Sequence, residues 1–264
     1  MVDSSFFFPP SREFVGLFEK VKLRVNVRLR GRVPPSQSNH LTIESEARTD
    51  ERFEKSRWDS ISISNARLDR CVFVDIHTQS ANFGGGRSQS IYTDCVFEAC
   101  ELVFGVIGNA RFVRCRFNSC QLSHIFGTKL ELIDCSFPGT KIEKAVFHGV
   151  FHAATLQEAT RERNEFCGND FSAADLVDVD FRGQIDLTNQ LLPAGKDYVY
   201  VSDTRRASEV ARLVAQLDSE SPGGKRAVSI ERMMKSYAAS GQRQALLRLT
   251  DFEALAEQFR KELR

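Results

Sequence analysis

Neither sign of charge dominates this sequence. In 264 residues, 36 lysines and arginines stand against 35 aspartates and glutamates. That balance withholds the basic excess of a phosphate-binding surface, so no direct nucleic-acid binding is expected. Long apolar runs are also missing. The first, Phe6 to Phe8, meets Pro9 and Pro10 at once, too short for an export signal or a membrane span, and a soluble, cytoplasmic chain is the expectation. No G-x-S-x-G, H-E-x-x-H or C-x-x-C occurs, which removes the common signatures of a serine hydrolase, a zinc protease and a zinc or redox site.

Seven cysteines are present, and their spacing is informative. Cys95, Cys115 and Cys135 are twenty apart, as are Cys100 and Cys120. From Cys95 an apolar residue returns at every fifth place: Phe97, Leu102, Ile107, Phe112, Phe117, Leu122, Leu132, Phe137, Ile142 and Phe147, with Gly127 the one miss and Phe126 beside it. A mostly small residue sits two places before each. A period of five fits neither a helix nor a flat strand, so the chain must turn after every repeat. Upstream, Leu68 to Tyr92 spans twenty-four residues, and the extra four fall in the loop-like stretch from Gly84 to Ser90. Downstream, Phe166, Phe171, Leu176 and Phe181 keep the step; Gln157 to Glu165 is an excursion, because the rule would otherwise bury Arg161.

Ala81-Asn82-Phe83, Ala174-Asp175-Leu176-Val177 and Val179-Asp180-Phe181-Arg182-Gly183 resemble the pentapeptide repeat over roughly Leu68 to Leu187. The resemblance implies an all-β solenoid, a right-handed quadrilateral parallel β-helix with four pentapeptides per coil. Residues twenty apart then stack, Phe97 on Phe117 on Phe137 and Leu102 on Leu122 on Ile142, about 4.8 Å apart. Six cysteines become small core residues, and Cys167 the exposed thiol.

Three regions follow. Residues 1–60 read as an N-terminal cap, with an alternating strand at Val21 to Leu29 and a second at Leu41 to Ile43 forming a hairpin. Residues 61–192 are the β-helix. Residues 193–264 are a helical tail, with Ala207, Val210, Leu213, Val214 and Leu217 on one stripe and Ile230, Met233, Met234 and Tyr237 on another, beyond a linker at Ser221 to Gly224. A capping box at Thr250 to Glu253 opens a third stripe of Leu255, Ala256, Phe259 and Leu263. A homodimer through that stripe is expected over docking on the chain's own rod.

No catalytic, cofactor-binding or metal-binding residue is assigned. Gly84 to Ser88 and Gly223 to Arg226 lack the pattern of a phosphate loop. His148 and His152 have no ligand companions, and Asp175, Asp178 and Asp180 occupy repeat or solvent positions. The function expected is therefore non-enzymatic, a scaffold binding a protein partner. The alternative comes from the resemblance: some members of the family mimic duplex DNA and protect gyrase, a type II topoisomerase. Residues 61–192 hold sixteen acidic and twelve basic residues, a weak negative excess for such a mimic.

Overall fold

The structure is a computed structural model that describes residues 39–150, 162–217 and 219–263. The five-residue period becomes a four-sided coil of parallel strands. In one turn, Arg116–Asn118 forms the first side, Gln121–Gly127 bends at His124 over the next two, and Glu131–Ile133 forms the fourth. Each residue lies over the one twenty places on: Phe97 pairs with Phe117, Leu102 with Leu122, and Leu122 with Ile142. Longer steps, Leu68 to Tyr92 and Leu132 to Phe166, keep the same columns, and in the first the extra residues loop out between Gly85 and Ser90.

Inside, one column is wholly aromatic. Phe53, Phe73, Phe97, Phe117, Phe137 and Phe171 stack face to face, with ring centroids 4.8, 4.7, 4.6, 5.0 and 4.7 Å apart. The strand spacing of a parallel sheet sets that distance, and it is also close to a good stacking distance for rings. Leu102, Leu122, Ile142 and Leu176 form a second buried column, as their period predicts. Gly127 is no slip in the pattern. Its place is inward, a Cβ there would meet Leu130 Cβ at 2.9 Å, and buried Leu130 fills the space while Phe126 points out.

The corners explain the fifth position of each repeat. Ser45, Asp50, Asn65, Arg70, Asp75, Asp94, Ala99, Arg114, Ser119, His124, Asp134, Lys144 and Asp178 all have φ between 50° and 61°. Each follows an inward residue by two places and turns the chain to the next side. A side chain in this left-handed region is strained, least so for Asp and Asn. Ala99, with φ 52°, is exposed and offers no compensating contact that glycine would lose. Ala99→Gly is therefore expected to raise stability by about 1 kcal/mol, seen as a higher urea midpoint.

Two N-terminal expectations meet different outcomes. Leu41 to Ile43 lies in the strand His40–Glu44, which pairs in parallel with Ser60–Ser64 at the twenty-residue step. It is a coil strand, not a hairpin arm, because its apolar alternation fits the inward columns, and coil strands run on the N-terminal side of residue 61. The stretch Val21 to Leu29 lies outside the described residues.

The C-terminal region combines helices with a small sheet that the sequence reading missed. Tyr198–Val201 pairs antiparallel with Ala245–Arg248. Around it pack helices α1 (Thr204–Leu217), α2 (Pro222–Ala239) and α3 (Glu253–Glu262). On α1 the buried stripe is Ala207, Val210, Ala211 and Ala215, small residues that let α2 approach, and Leu213 and Leu217 are exposed. The supposed linker is the start of α2: Ser221 Oγ accepts from Gly224 N at 2.9 Å and Pro222 opens the helix. The capping box does not form. Phe252 precedes α3 without a side-chain cap, and Thr250 Oγ1 accepts instead from Arg248 Nε at 3.0 Å.

The expected dimer stripe is covered by the chain itself. Leu255, Ala256 and Phe259 are buried in one cluster with Val199, Val201, Val210, Met234 and Leu247. That removes the reason given for a homodimer, since the stripe has no water to escape.

This region also closes the coil. Leu176 N donates to Tyr198 Oη at 3.0 Å, and Arg248 Nη1 donates to Leu176 O at 3.2 Å. Ile185 N donates to Gln242 Oε1 at 3.0 Å while Gln242 Nε2 donates to Ile185 O at 3.1 Å, and Leu187 N donates to Gln244 Oε1 at 2.7 Å. Side-chain amides thus take the place of the strand that would come next, and satisfy backbone groups that would otherwise be buried unpaired.

Candidate interaction surface

Reactive side chains are drawn into the core. Cys71, Cys95, Cys100, Cys115, Cys120 and Cys135 are buried, and Cys167 is exposed, as the repeat positions require. The inward thiols act as small donors: Cys115 Sγ lies 3.4 Å from Tyr92 O and Cys120 Sγ 3.4 Å from Phe97 O. Burial pushes the Cys115 thiol well above its ordinary range, so it holds its proton and is a poor nucleophile. Asn169 continues the cysteine column, its Oδ1 accepting from Cys135 N at 3.0 Å and its Nδ2 donating to Gln190 Oε1 at 3.0 Å.

Charges outside the coil are largely self-paired. One corner carries the alternating series Asp50, Arg70, Asp94, Arg114 and Asp134. Arg70 grips Asp50 through two bonds of 2.8 and 2.9 Å, and Arg114 grips Asp94 through bonds of 2.8 and 2.7 Å. Hydrogen bonds from those guanidinium groups hold the Asp50 and Asp94 carboxyls below the usual carboxylate range. Elsewhere Lys141 meets Glu143 at 2.6 Å, Arg111 meets buried Glu131 at 2.7 Å, and His77 sits 2.9 Å from Asp75 and 3.2 Å from Glu101. The hydrogen bond His77 donates to Asp75, then that to Glu101, raises the His77 pKa.

The residues weighed for chemistry are placed apart. Asp175 pairs with Arg248 at 2.9 Å, Asp180 with Arg182 at 2.5 Å, and Asp178 is an exposed corner. His148 ends a coil strand, and His152 lies outside the described residues. Gly84 is packed in a strand where a Cβ would meet Asn109 N and Ile107 O at 2.6 Å, so its role is close packing of coils. Among the described residues, no group of three or more His, Cys, Asp or Glu side chains converges as a metal site, and no helix is long and apolar enough to cross a membrane. A cavity of about 430 Å³ lies between the last coil and α2, lined by His148, Arg182, Met233 and Tyr237 among others.

One outward column differs from the rest. On the third side of the coil, Val106 is 47% exposed and Phe126 61% exposed, with half-buried Val146 paired beside Phe126. The corner next to this column carries His124 and Lys144, one coil apart. The signal was in the sequence: Val106, Phe126 and Val146 are twenty apart, each one place before an inward position.

No family model matches the chain, and no curated protein matches it. Among solved structures it is similar to two trypsin-treated variants of QnrB1, a plasmid-mediated fluoroquinolone resistance protein. In each case identity is 14%, the match covers 58% of this chain and 89% of the other, and the TM-score is 0.17. The fold described above rests on the chain's own register.

Proposed function

We propose that this coil, whose repeats resemble the pentapeptide repeat, is a non-enzymatic scaffold that binds a protein partner through the outer surface of its β-helix. The observation that carries this reading is the exposed Val106–Phe126–Val146 column. Large apolar side chains held out by a rigid coil mark an interaction site more readily than scattered surface residues do. Buried thiols and paired carboxylates leave the outside with side chains at fixed spacing and few groups poised for chemistry. Partner capture from the native cell, read by mass spectrometry, tests the proposal: a reproducible protein partner supports it, and no partner above background opposes it.

The same experiment separates the gyrase reading. A DNA mimic needs rows of unpaired carboxylates, whereas here Asp50, Asp94, Glu143, Asp175 and Asp180 each have a cationic partner. Recovery of a gyrase subunit, with inhibition of supercoiling by the purified chain, would reverse that judgement. Without both, the partner is another protein.

A further inference from the structure

The floor beside Phe126 is bare backbone that the fold does not require. Gly105 is the extra residue of a bulge: Ala81 faces Phe104 and Asn82 faces Val106, with Gly105 unmatched between them. The bulge turns Phe104 inward, 4% exposed, and Val106 outward. Gly105 has no left-handed φ, and a Cβ on it would meet nothing nearer than Ala81 O at 3.9 Å. At Gly108 the nearest atoms would be Thr128 Oγ1 at 3.4 Å and Phe126 O at 3.8 Å, ordinary contact distances. Gly84 and Gly127 are different, since crowding explains both. Glycine in a strand weakens it, and where no φ or packing demands it, as at Gly105, it marks a place where another backbone comes close; Gly108, in the turn that follows, leaves the same floor bare.

Charge around the column selects the partner. His124 and Lys144 project on the same side of the bent strands as Phe126 and Val146, two places before each. Glu143, the acid nearest Lys144 in the chain, is bonded to Lys141 at 2.6 Å, and Lys144 and His124 also stabilise its carboxylate electrostatically. On the other flank stand Gly108, Thr128 and His148, none of them acidic. Acids appear only at the top of the columns, where Asp180 is held by Arg182 and Asp178 is the corner above Lys144.

We propose that this side of the coil binds an extended, acidic-apolar segment of a partner protein. The segment lies with its backbone over Gly105 and Gly108, an apolar side chain covers Phe126, and a carboxylate meets Lys144. This proposal names the partner chemistry of the scaffold reading and rests on it.

The test is selection from an unbiased library of random peptides displayed on phage, with the full chain as bait. Recovered peptides are expected to carry Asp or Glu within two places of an aromatic or large aliphatic residue. Gly105→Gln adds bulk where the fold has room, and Lys144→Glu reverses the local charge. Each is expected to weaken peptide binding by about tenfold or more, as for an interface hot spot, with the urea midpoint not lowered. Selection of nothing, of peptides without acidic residues, or of peptides that bind both variants like the native chain would overturn the proposal. A cellular partner captured equally by the native chain and Gly105→Gln would overturn this surface alone. Capture of no partner would overturn the scaffold reading beneath it.

Discussion

Replacing Phe117 by Ala is expected to destabilise the protein by about 3–5 kcal/mol, the range for an aromatic cut from a core. Phe117 is 3% exposed and stacked on both faces, 4.6 Å from Phe97 and 5.0 Å from Phe137, with Phe112 edge-on at 5.6 Å. The coil cannot collapse into the gap, because its strand spacing is fixed by the hydrogen-bond ladders above and below. The loss should fall on neighbouring turns first, since each turn of a solenoid contacts only the next. Phe53 ends the column, is half-buried, and stacks on one face only, so Phe53→Ala should cost less. Urea unfolding followed by circular dichroism measures both. A cost at Phe117 below about 0.5 kcal/mol, the size of a surface change, would contradict the stacked core.

Phe259→Asp should be at least as damaging but in a different place. Phe259 is fully buried where α3 meets the small sheet and the other helices. An unpaired carboxylate there is expected to cost more than about 4 kcal/mol, enough to unfold the C-terminal region. The coil should remain, with its last turn exposed once Tyr198, Gln242, Gln244 and Arg248 no longer close it. Limited proteolysis should then cut after residue 193 while the β-rich signal persists. Light scattering should give the same mass for native and variant chains, because the stripe is satisfied within one chain. A native mass of twice 29.8 kDa that the substitution halves would restore the dimer.

The coil was legible because its rule is local and repeated. One inward residue every five places, with twenty-residue stacking, assigned Phe97, Phe117, Phe137 and six buried cysteines from residue type alone. It faltered where the rule is broken by a neighbour: Gly127 is an inward position filled from outside its own repeat by Leu130. The first coil is not legible locally, because Leu41 to Ile43 alternates like any half-buried strand, and alternation carries no information on whether the partner is parallel or antiparallel. The C-terminal stripes were found, but not what covers them. Tyr198 to Val201 and Ala245 to Arg248 lie far apart in sequence, and their pairing is decided by tertiary contacts that no local pattern records. The outward column obeys the same twenty-residue step one place before the inward positions, at Val106 and Phe126, but an outward position carries no packing constraint that would mark it by residue type.

If the outer surface of the coil is where this protein acts, hydrogen exchange of the chain with and without its captured partner will show it. Slowed exchange is expected at Gly105 to Gly108 and along Gln121–Gly127 and Lys141–His148, with the C-terminal helices unchanged. Protection confined to α1, α2 and α3, or to the cavity beside Tyr237, would contradict it.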